Sequence, residues 1–281
     1  LQVNRDQLFV LCETNLDEIL EAAGSMSPNV LIIDSLHQYL PFFTEFHEKL
    51  VNSESLRYSF GGGLGMNFWA TFAYYFASPL NFLIVLFPTS MMMEAMALLV
   101  VLKIGFSGGF FSYYLSRRNQ DRNYTPILFG CMFALSNFMI GYYFNLMWLD
   151  SIAVLPLIML GIEKIVDGKS GRVFGLSLAF ALFSNYYIGF MLCFFSCLYF
   201  LMLWFIKKKG NLRQFLRSCV NFGWYALLSG GMAAIVLVPA YQALGLTEST
   251  SGNTFPTEIR LYTGLFSQLT QHFAAVEPIT I

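Results

Sequence analysis

The sequence has 281 residues, of which 56% are apolar and only 12% are charged. An average soluble domain has roughly one quarter charged residues, so this composition excludes an ordinary soluble domain and is typical of an integral membrane protein. The formal net charge is -1. Nucleic-acid binding needs clustered Lys and Arg on a folded surface, so we expect no nucleic-acid partner.

Residues 1–34 have the pattern of a small βαβ fragment. Apolar runs at 7–12 and 30–33 predict two buried strands, and the apolar face of 15–23 predicts a helix between them. The second run ends at Asp34, as in a Walker B motif, where an acid follows a hydrophobic strand beside nucleotide-bound magnesium. Through these residues the segment resembles the middle of the ATPase core of the RadA/Sms DNA-repair family.

Nucleotide hydrolysis is nevertheless not expected. It needs a glycine-rich phosphate loop ending in Lys-Ser or Lys-Thr, and none precedes the fragment. Gly168-Lys169-Ser170 has Glu163 where that loop requires glycine. Our hypothesis is that residues 1–34 are a foreign graft in place of a natural first transmembrane helix. We also expect the chain to be truncated at its C-terminal end.

Residues 35–89 are predicted to form an aromatic region at the outer membrane interface, because aromatic side chains favour that boundary. The glycine-rich stretch Gly61–Gly65 lacks the spacing of a dinucleotide fingerprint and predicts a flexible turn. Residues 68–87 are long enough to cross a bilayer. Pro79 and Pro88 interrupt them, however, and we expect them to lie in the interface.

Residues 90–241 are predicted to contain six transmembrane helices. The apolar segments lie at about 90–115, 126–147, 150–166, 173–187, 188–206 and 218–241. Eleven of the sixteen basic residues fall in alternate connections, at 117–122, 164–172 and 207–217. The positive-inside rule places those connections in the cytoplasm. The turns at 148–150 and 185–187 and the segment 242–281 are then expected outside.

Small residues in these segments are interpreted as packing residues. The glycines are expected to form close-packing faces between helices: Gly105, Gly108, Gly109, Gly230 and Gly231. The five cysteines follow no metal or disulfide spacing and are expected to behave as small hydrophobic side chains.

Five charged residues are candidates for chemistry. Asp34 and Asp150 each lie at an aromatic membrane boundary, and both are candidates for a general base. Lys103 lies within an apolar run, which favours a functional charge, although snorkelling of its side chain is left open. Arg57 and Arg260 are cations of the outer segments.

Several motifs resemble those of the YfhO family of bacterial membrane proteins, over residues 34–281. They are Asp34-Ser-Leu-His-Gln38-Tyr39-Leu-Pro-Phe-Phe43, Tyr58-Ser-Phe-Gly-Gly-Gly-Leu-Gly65, Phe72-Ala-Tyr-Tyr-Phe-Ala-Ser-Pro-Leu-Asn81, Leu102-Lys-Ile-Gly105, Asn145-Leu-Met-Trp-Leu-Asp150 and Tyr187-Ile-Gly-Phe190. The resemblance implies an all-α polytopic transmembrane helix bundle similar in plan to the GT-C glycosyltransferases. Those enzymes take sugar from a polyprenyl-phosphate carrier at the outer leaflet.

The same resemblance implies roles for individual residues. Asp34 matches the catalytic base in the first outer loop of the GT-C plan, and Asp150 matches a second acid used for binding or orientation. The other expected substrate-binding residues are Lys103, Gln38, Tyr39, Arg57 and Arg260. No cofactor is required for this reaction, and Mg²⁺ or Mn²⁺ held loosely by the two acids is left open.

The implied function is transfer of sugar from a polyprenyl-phosphate donor to a cell-envelope polymer, such as teichoic acid, by a multi-pass protein of the bacterial cell membrane. The expected partners are that donor, the polymer acceptor and the lipid bilayer. One alternative is a transporter of lipid or polymer, which would need internal repeats and paired broken helices, and the sequence displays no such repeat. The other is an inactive chimeric fragment.

Overall fold

The computed structural model describes residues 35–61, 65–119, 123–207 and 212–244. The predicted βαβ fragment at 1–34 and the outer segment after residue 244 lie outside this range. The described part is all-α. Its one β-type interaction is an isolated antiparallel bridge between Ser59 and Met66. The prediction of an all-α polytopic membrane bundle is confirmed.

Three short helices come first. A π-helical turn, Ser35–Tyr39, leads into α1, Leu40–Val51. Helix α2, Phe68–Phe76, is followed by the 3-10 helix α3, Pro79–Leu86, at an angle of 100°. The side chain of Ser78 accepts a hydrogen bond from Leu80 N and so caps α3 directly after the bend. The segment 68–87 is therefore broken and is not one straight helix.

Seven further helices form the bundle. They are α4, Met92–Asn119; α5, Thr125–Ala134; α6, Asn137–Gly141; α7, Leu146–Val166; α8, Arg172–Ser184; α9, Tyr186–Lys207; and α10, Leu212–Leu244. Of the helices described, α4, α7, α9 and α10 are long and apolar enough to cross a membrane, and the bent pair α2 and α3 would make a fifth span. Two of the six predicted spans coincide with shorter apolar helices, at 125–141 and 172–184.

Helix α7 is the centre of the bundle. It packs against α4, α8, α9 and α10, and 72% of its most apolar window is buried, compared with 17% for α10. Apolar burial divides into two clusters along the bundle. One lies around α1, α2 and the first half of α4, and the other lies around the second half of α7 with α8 and α9.

The basic connections lie together at one end of the bundle. Arg118 at the end of α4 approaches Glu163 near the end of α7. Lys207 at the end of α9 pairs with Asp167, directly after α7. We call this the basic end, and by the positive-inside rule we expect it in the cytoplasm. The opposite end, which contains α1 to α3, is called the outer end.

The start of α7 differs from the prediction. The sequence analysis placed residues 148–150 in an outer turn, but they form the first turns of α7, which begins at Leu146. Asp150 is therefore 2% exposed inside the bundle. The polar side chains of Asn145 and Asp150 looked like a loop signal, whereas both are buried and have partners within the protein.

The predicted glycine faces were also largely wrong. Gly105, Gly109, Gly230 and Gly231 have open space where a Cβ would stand, as far as the described residues show, and only Gly108 packs closely. The tightest helix contacts are elsewhere. A Cβ on Gly161 would lie 2.2 Å from the backbone nitrogen of Phe174, so this glycine allows α7 and α8 to touch.

Candidate functional site

Lys103 is the centre of a buried polar cluster. Its ammonium group lies 2.7 Å from Asp150 Oδ2, and it donates hydrogen bonds to Asn81 Oδ1 at 2.9 Å and to the carbonyl oxygen of Leu146 at 3.0 Å. The ammonium group therefore has one acidic partner and two hydrogen-bond acceptors. The side chain is completely buried in the middle of α4.

This pairing corrects the alternative reading of Lys103. The side chain does not snorkel to the membrane surface, because its charge is met inside the bundle by Asp150 from α7. Removing two charges from water costs several kcal/mol per ion, and only good geometry and further hydrogen bonds offset that cost. Ionisable residues kept at such a cost within a membrane bundle commonly mark functional sites.

Asn81 connects this ion pair to the bend between α2 and α3. It is fully buried, accepts from Lys103 and donates to the carbonyl oxygen of Tyr75 at 3.1 Å. Asn185 similarly donates to the carbonyl oxygen of Tyr74 at 3.0 Å. The two amides satisfy backbone carbonyls next to the bend, which would otherwise be unpaired in an apolar interior.

Gln38 and Tyr39, which the sequence predicted as substrate-binding, lie at the outer edge of the same region. The hydroxyl of Tyr39 donates to Asn145 Oδ1 at 2.8 Å, and Asn145 directly precedes α7. Gln38 Nε2 donates to the hydroxyl of Tyr75 at 3.0 Å. The structure thus brings four predicted site residues into one region: Gln38, Tyr39, Lys103 and Asp150.

The other predicted site residues are not part of this cluster. Arg57 is exposed between α1 and α2. Asp34 and Arg260 lie outside the described residues, so their predicted roles are not tested. In the chain, Asp34 directly precedes the turn that contains Gln38 and Tyr39.

A cavity of about 180 Å³ lies beside the ion pair. Lys103 and Asp150 form its polar wall, and the rest is apolar: Pro79, Leu80, Phe106, Phe110, Ala153, Val154 and Phe180. Phe106 is also exposed on α4, so the cavity borders the surface that faces lipid. Sites for whole small molecules usually measure roughly 300–1,000 Å³, so this cavity fits only part of a ligand.

A larger groove of about 1020 Å³ lies at the outer end, along α1. Its walls combine the carboxylates of Glu45, Glu48 and Glu54 with the aromatic rings of Tyr58 and Phe60. Glu45 accepts a hydrogen bond from the hydroxyl of Ser59, which fixes one side of the groove. Its volume is sufficient for a sugar unit.

The sequence analysis missed a second buried acid, Glu163, at the basic end. Its Oε1 accepts hydrogen bonds from the hydroxyls of Tyr114 and Tyr199, both at 2.9 Å, and lies 3.4 Å from Arg118. This cluster joins α4, α7 and α9. Glu163 lies inside the predicted span 150–166, and an acid in such a span indicates a buried polar cluster. In the sequence analysis this residue was considered only as a mismatch to a phosphate-loop motif.

The described residues contain no group of three or more His, Cys, Asp or Glu side chains that could hold a metal ion. Asp150 is a poor ligand for a divalent cation while an ammonium group lies 2.7 Å from it. The suggested joint site with Asp34 stays a prediction, because Asp34 lies outside the described range.

The long apolar helices and their buried ion pair define a multi-pass membrane protein with an intramembrane polar site. The model of one protein family, bacterial membrane protein YfhO, matches residues 23–276. The chain therefore belongs to the YfhO family of bacterial membrane proteins. No curated protein and no solved structure matches it.

The family match also bears on the boundary of the proposed graft. It begins at residue 23, within the segment 1–34, and so includes Asp34. The resemblance of the first residues to the RadA/Sms family stays a hypothesis.

Proposed function

We propose that this protein is a membrane glycosyltransferase that transfers sugar from a polyprenyl-phosphate donor to a cell-envelope polymer at the outer face of the membrane. Membership of the YfhO family supports the membrane setting. The observation that carries the proposal is the buried Lys103–Asp150 pair beside an apolar cavity at the lipid-facing surface.

The chemistry requires a base, a cation and an apolar path. In the proposed reaction the acceptor hydroxyl oxygen attacks the anomeric carbon of the sugar, and its proton passes to the base. The bond from that carbon to the phosphate oxygen breaks, and the phosphate leaves with the electron pair. Lys103 supplies positive charge for the leaving phosphate. Asp150 holds the ammonium group in position, and the cavity accepts the first part of the prenyl chain.

The base in this proposal is Asp34, from its position in the family motif. It precedes the turn Ser35–Tyr39, whose Gln38 and Tyr39 contact the residues around the polar cluster. The outer groove along α1, with its carboxylates and aromatic rings, is the proposed acceptor site. Ionised carboxylates accept hydrogen bonds, and the hydroxyl groups of a sugar can donate them.

The deciding experiment measures transfer of labelled sugar from polyprenyl phosphate in membranes that contain the full-length protein. We expect Asp34→Asn to lower transfer by roughly 10²–10⁴-fold, because this is the usual contribution of a general base. Donor binding should survive this change. Lys103→Met should weaken both donor binding and rate, because the cation acts on the phosphate before and during departure.

The controls are charges at the basic end: the buried acid, in Glu163→Gln on α7, and the half-exposed cation, in Arg118→Met on α4. These substitutions remove comparable charges away from the cavity, so transfer by correctly folded protein should persist. If Asp34→Asn keeps full turnover while Asp150→Asn abolishes it, the two acids have exchanged roles. Unchanged transfer in both would refute the glycosyltransferase proposal.

A transporter of lipid or polymer is the second candidate, favoured by the bend of 100° between α2 and α3. Broken helices with unwound backbone near a polar site occur in many secondary transporters, usually as a pair. The described residues contain one such break. Movement of labelled polyprenyl phosphate between leaflets, without any sugar transfer, would favour this candidate over the enzyme.

A further inference from the structure

A further pocket, distinct from the cavity beside Lys103 and from the outer groove, lies at the basic end of the bundle. Its volume is about 500 Å³, and it lies between the first turns of α10 and the connection from α7 to α8. Gln214, Arg217, Ser218 and Asn221 project from one side of α10 toward Gly168. Counted from Gln214, the other three residues lie three, four and seven positions further along the chain, so all four share one face of the helix.

These four polar side chains have no hydrogen bond or ion pair with any other described residue. The nearby acids, in contrast, are already paired. Asp167 is 3.2 Å from Lys207, and Glu163 is bound by Arg118 and two tyrosines. Within the described part of the chain, the pocket thus presents a guanidinium group without an acidic partner, together with amide and hydroxyl donors, which is the chemistry that recognises a phosphate group.

The charged side chains near the pocket are positive, like Arg217 itself. Four more basic side chains of the described part have no acidic partner and flank the pocket in the chain: Lys164, Lys169, Arg172 and Arg213. Basic pockets between helices at the cytoplasmic side of a membrane attract the head groups of anionic lipids.

The apolar side of the pocket indicates that the phosphate belongs to a lipid. Val220 and Trp224 line the pocket and are 71% and 58% exposed. Leu227 and Leu228 continue this exposed apolar surface along α10. Tryptophan prefers the boundary between head groups and acyl chains, so the pocket lies where both parts of a phospholipid can be bound.

We propose that this pocket binds the head group of an anionic phospholipid of the cytoplasmic leaflet. The phosphate contacts Arg217, Gln214 and Asn221, and the acyl chains lie along Val220, Trp224 and Leu227. The site is separate from the proposed glycosyltransferase site and does not depend on that function.

The test uses quenching of Trp224 fluorescence by brominated lipids in vesicles that contain the full chain. The signal of Trp224 is the difference between the chain and its Trp224→Phe variant. At equal density, brominated phosphatidylglycerol should quench Trp224 more than brominated phosphatidylcholine. Added unlabelled phosphatidylglycerol should relieve the quenching by brominated phosphatidylglycerol, and unlabelled phosphatidylcholine should not. Equal quenching by the two brominated lipids would overturn the proposal.

Variants then distinguish binding in the pocket from general attraction of anionic lipid to a positive surface. Arg217→Gln should reduce the preference for the anionic lipid about tenfold or more, the usual contribution of a hydrogen bond to a charged group. Arg217→Lys should restore part of it. Arg117→Gln removes the same charge from the basic end of α4 and should leave the preference intact. If Arg117→Gln lost the same preference for the anionic lipid, the general positive charge of the surface would explain the effect, and this would contradict the proposal.

A final arm distinguishes a lipid from a soluble anion. Inorganic phosphate should not displace brominated phosphatidylglycerol from Trp224, because the acyl chains contribute to binding. Displacement by inorganic phosphate would assign the pocket to a small anion and overturn the lipid assignment. If Arg217→Gln does not fold, the lipid competition on the unmodified chain still decides the question.

Discussion

At the scale of single residues, the cost of burying Lys103 explains its surroundings. The ammonium group pairs with the carboxylate of Asp150 on α7. It also donates to the side-chain amide of Asn81 on α3 and to the backbone carbonyl of Leu146 at the start of α7. Each acceptor comes from a part of the chain distant from α4, so one side chain fixes three segments relative to each other. Loss of one partner leaves the others unpaired in an apolar interior, where unpaired polar groups are costly.

The first stability prediction concerns this pair. Lys103→Met and Asp150→Leu should each lower the free energy of unfolding by about 3–5 kcal/mol, since each leaves an uncompensated buried charge. The double variant should be less destabilised than either single variant, because no lone charge remains. Denaturant unfolding of the purified protein in detergent gives the three values. Costs that simply add in the double variant would show that the two side chains do not interact.

At the scale of helices, close approach is set by particular glycines. Gly161 on α7 faces the backbone of Phe174 on α8, and Gly189 on α9 faces that of Leu182 on α8. Other glycines, among them Gly108 and Gly109, were predicted because small residues within apolar segments favour close packing of membrane helices. Only the three-dimensional packing reveals which glycine meets a neighbouring backbone, since a helical face is shared by several candidates.

We expect Gly161→Ala to destabilise the protein and to loosen the contact between α7 and α8. The new Cβ would lie 2.2 Å from a backbone nitrogen, so one of the helices must move. Gly109→Ala is the matched control. It has open space and should stabilise α4 by about 0.5–1 kcal/mol through helix propensity. Thermal unfolding of both variants checks the prediction, and equal effects of the same sign would contradict it.

The Glu163 cluster gives a further prediction at this scale. Tyr199→Phe removes one hydrogen bond to the carboxylate and should cost about 0.6 kcal/mol, with an upper bound near 1.7, as measured for hydrogen bonds between membrane helices. Tyr114→Phe should cost a similar amount. Glu163→Leu should cost more than either, because it removes the acceptor shared by α4 and α9. A smaller cost for Glu163→Leu would contradict this prediction and would show that the contacts of Tyr114 with Tyr199 and Arg118 hold the helices without the carboxylate.

For the whole molecule, the sequence was sufficient to predict the class of fold and several residues of the site, but not the contacts between those residues. Apolar composition and the alternating basic connections predicted a polytopic bundle, because both follow from the bilayer itself. The contact between Lys103 and Asp150 depends on how α4 packs on α7, and no local pattern specifies that. The inward position of Asp150 was missed for the same reason, since its neighbours Trp148 and Asn145 resemble those of an interfacial turn.

The last prediction is the orientation of the whole molecule. The structure places Arg118, Lys207 and the acids that contact them at one end, and the positive-inside rule puts that end in the cytoplasm. In a background without cysteine, a membrane-impermeant thiol reagent should label Asn52→Cys and Ser249→Cys in intact cells. Asn119→Cys should react only after the membrane is opened.

The orientation bears on both proposed sites, because each requires a particular leaflet. The polar cluster must face the outer leaflet to meet a polyprenyl-phosphate sugar there, and the pocket of Arg217 must face the cytoplasm. Asn52 and Asn119 are exposed at opposite ends of the bundle, so their labelling reports orientation rather than burial. Labelling of Asn119→Cys, but not of Ser249→Cys, in intact cells would reverse the orientation. The proposed reaction would then have no donor at its site.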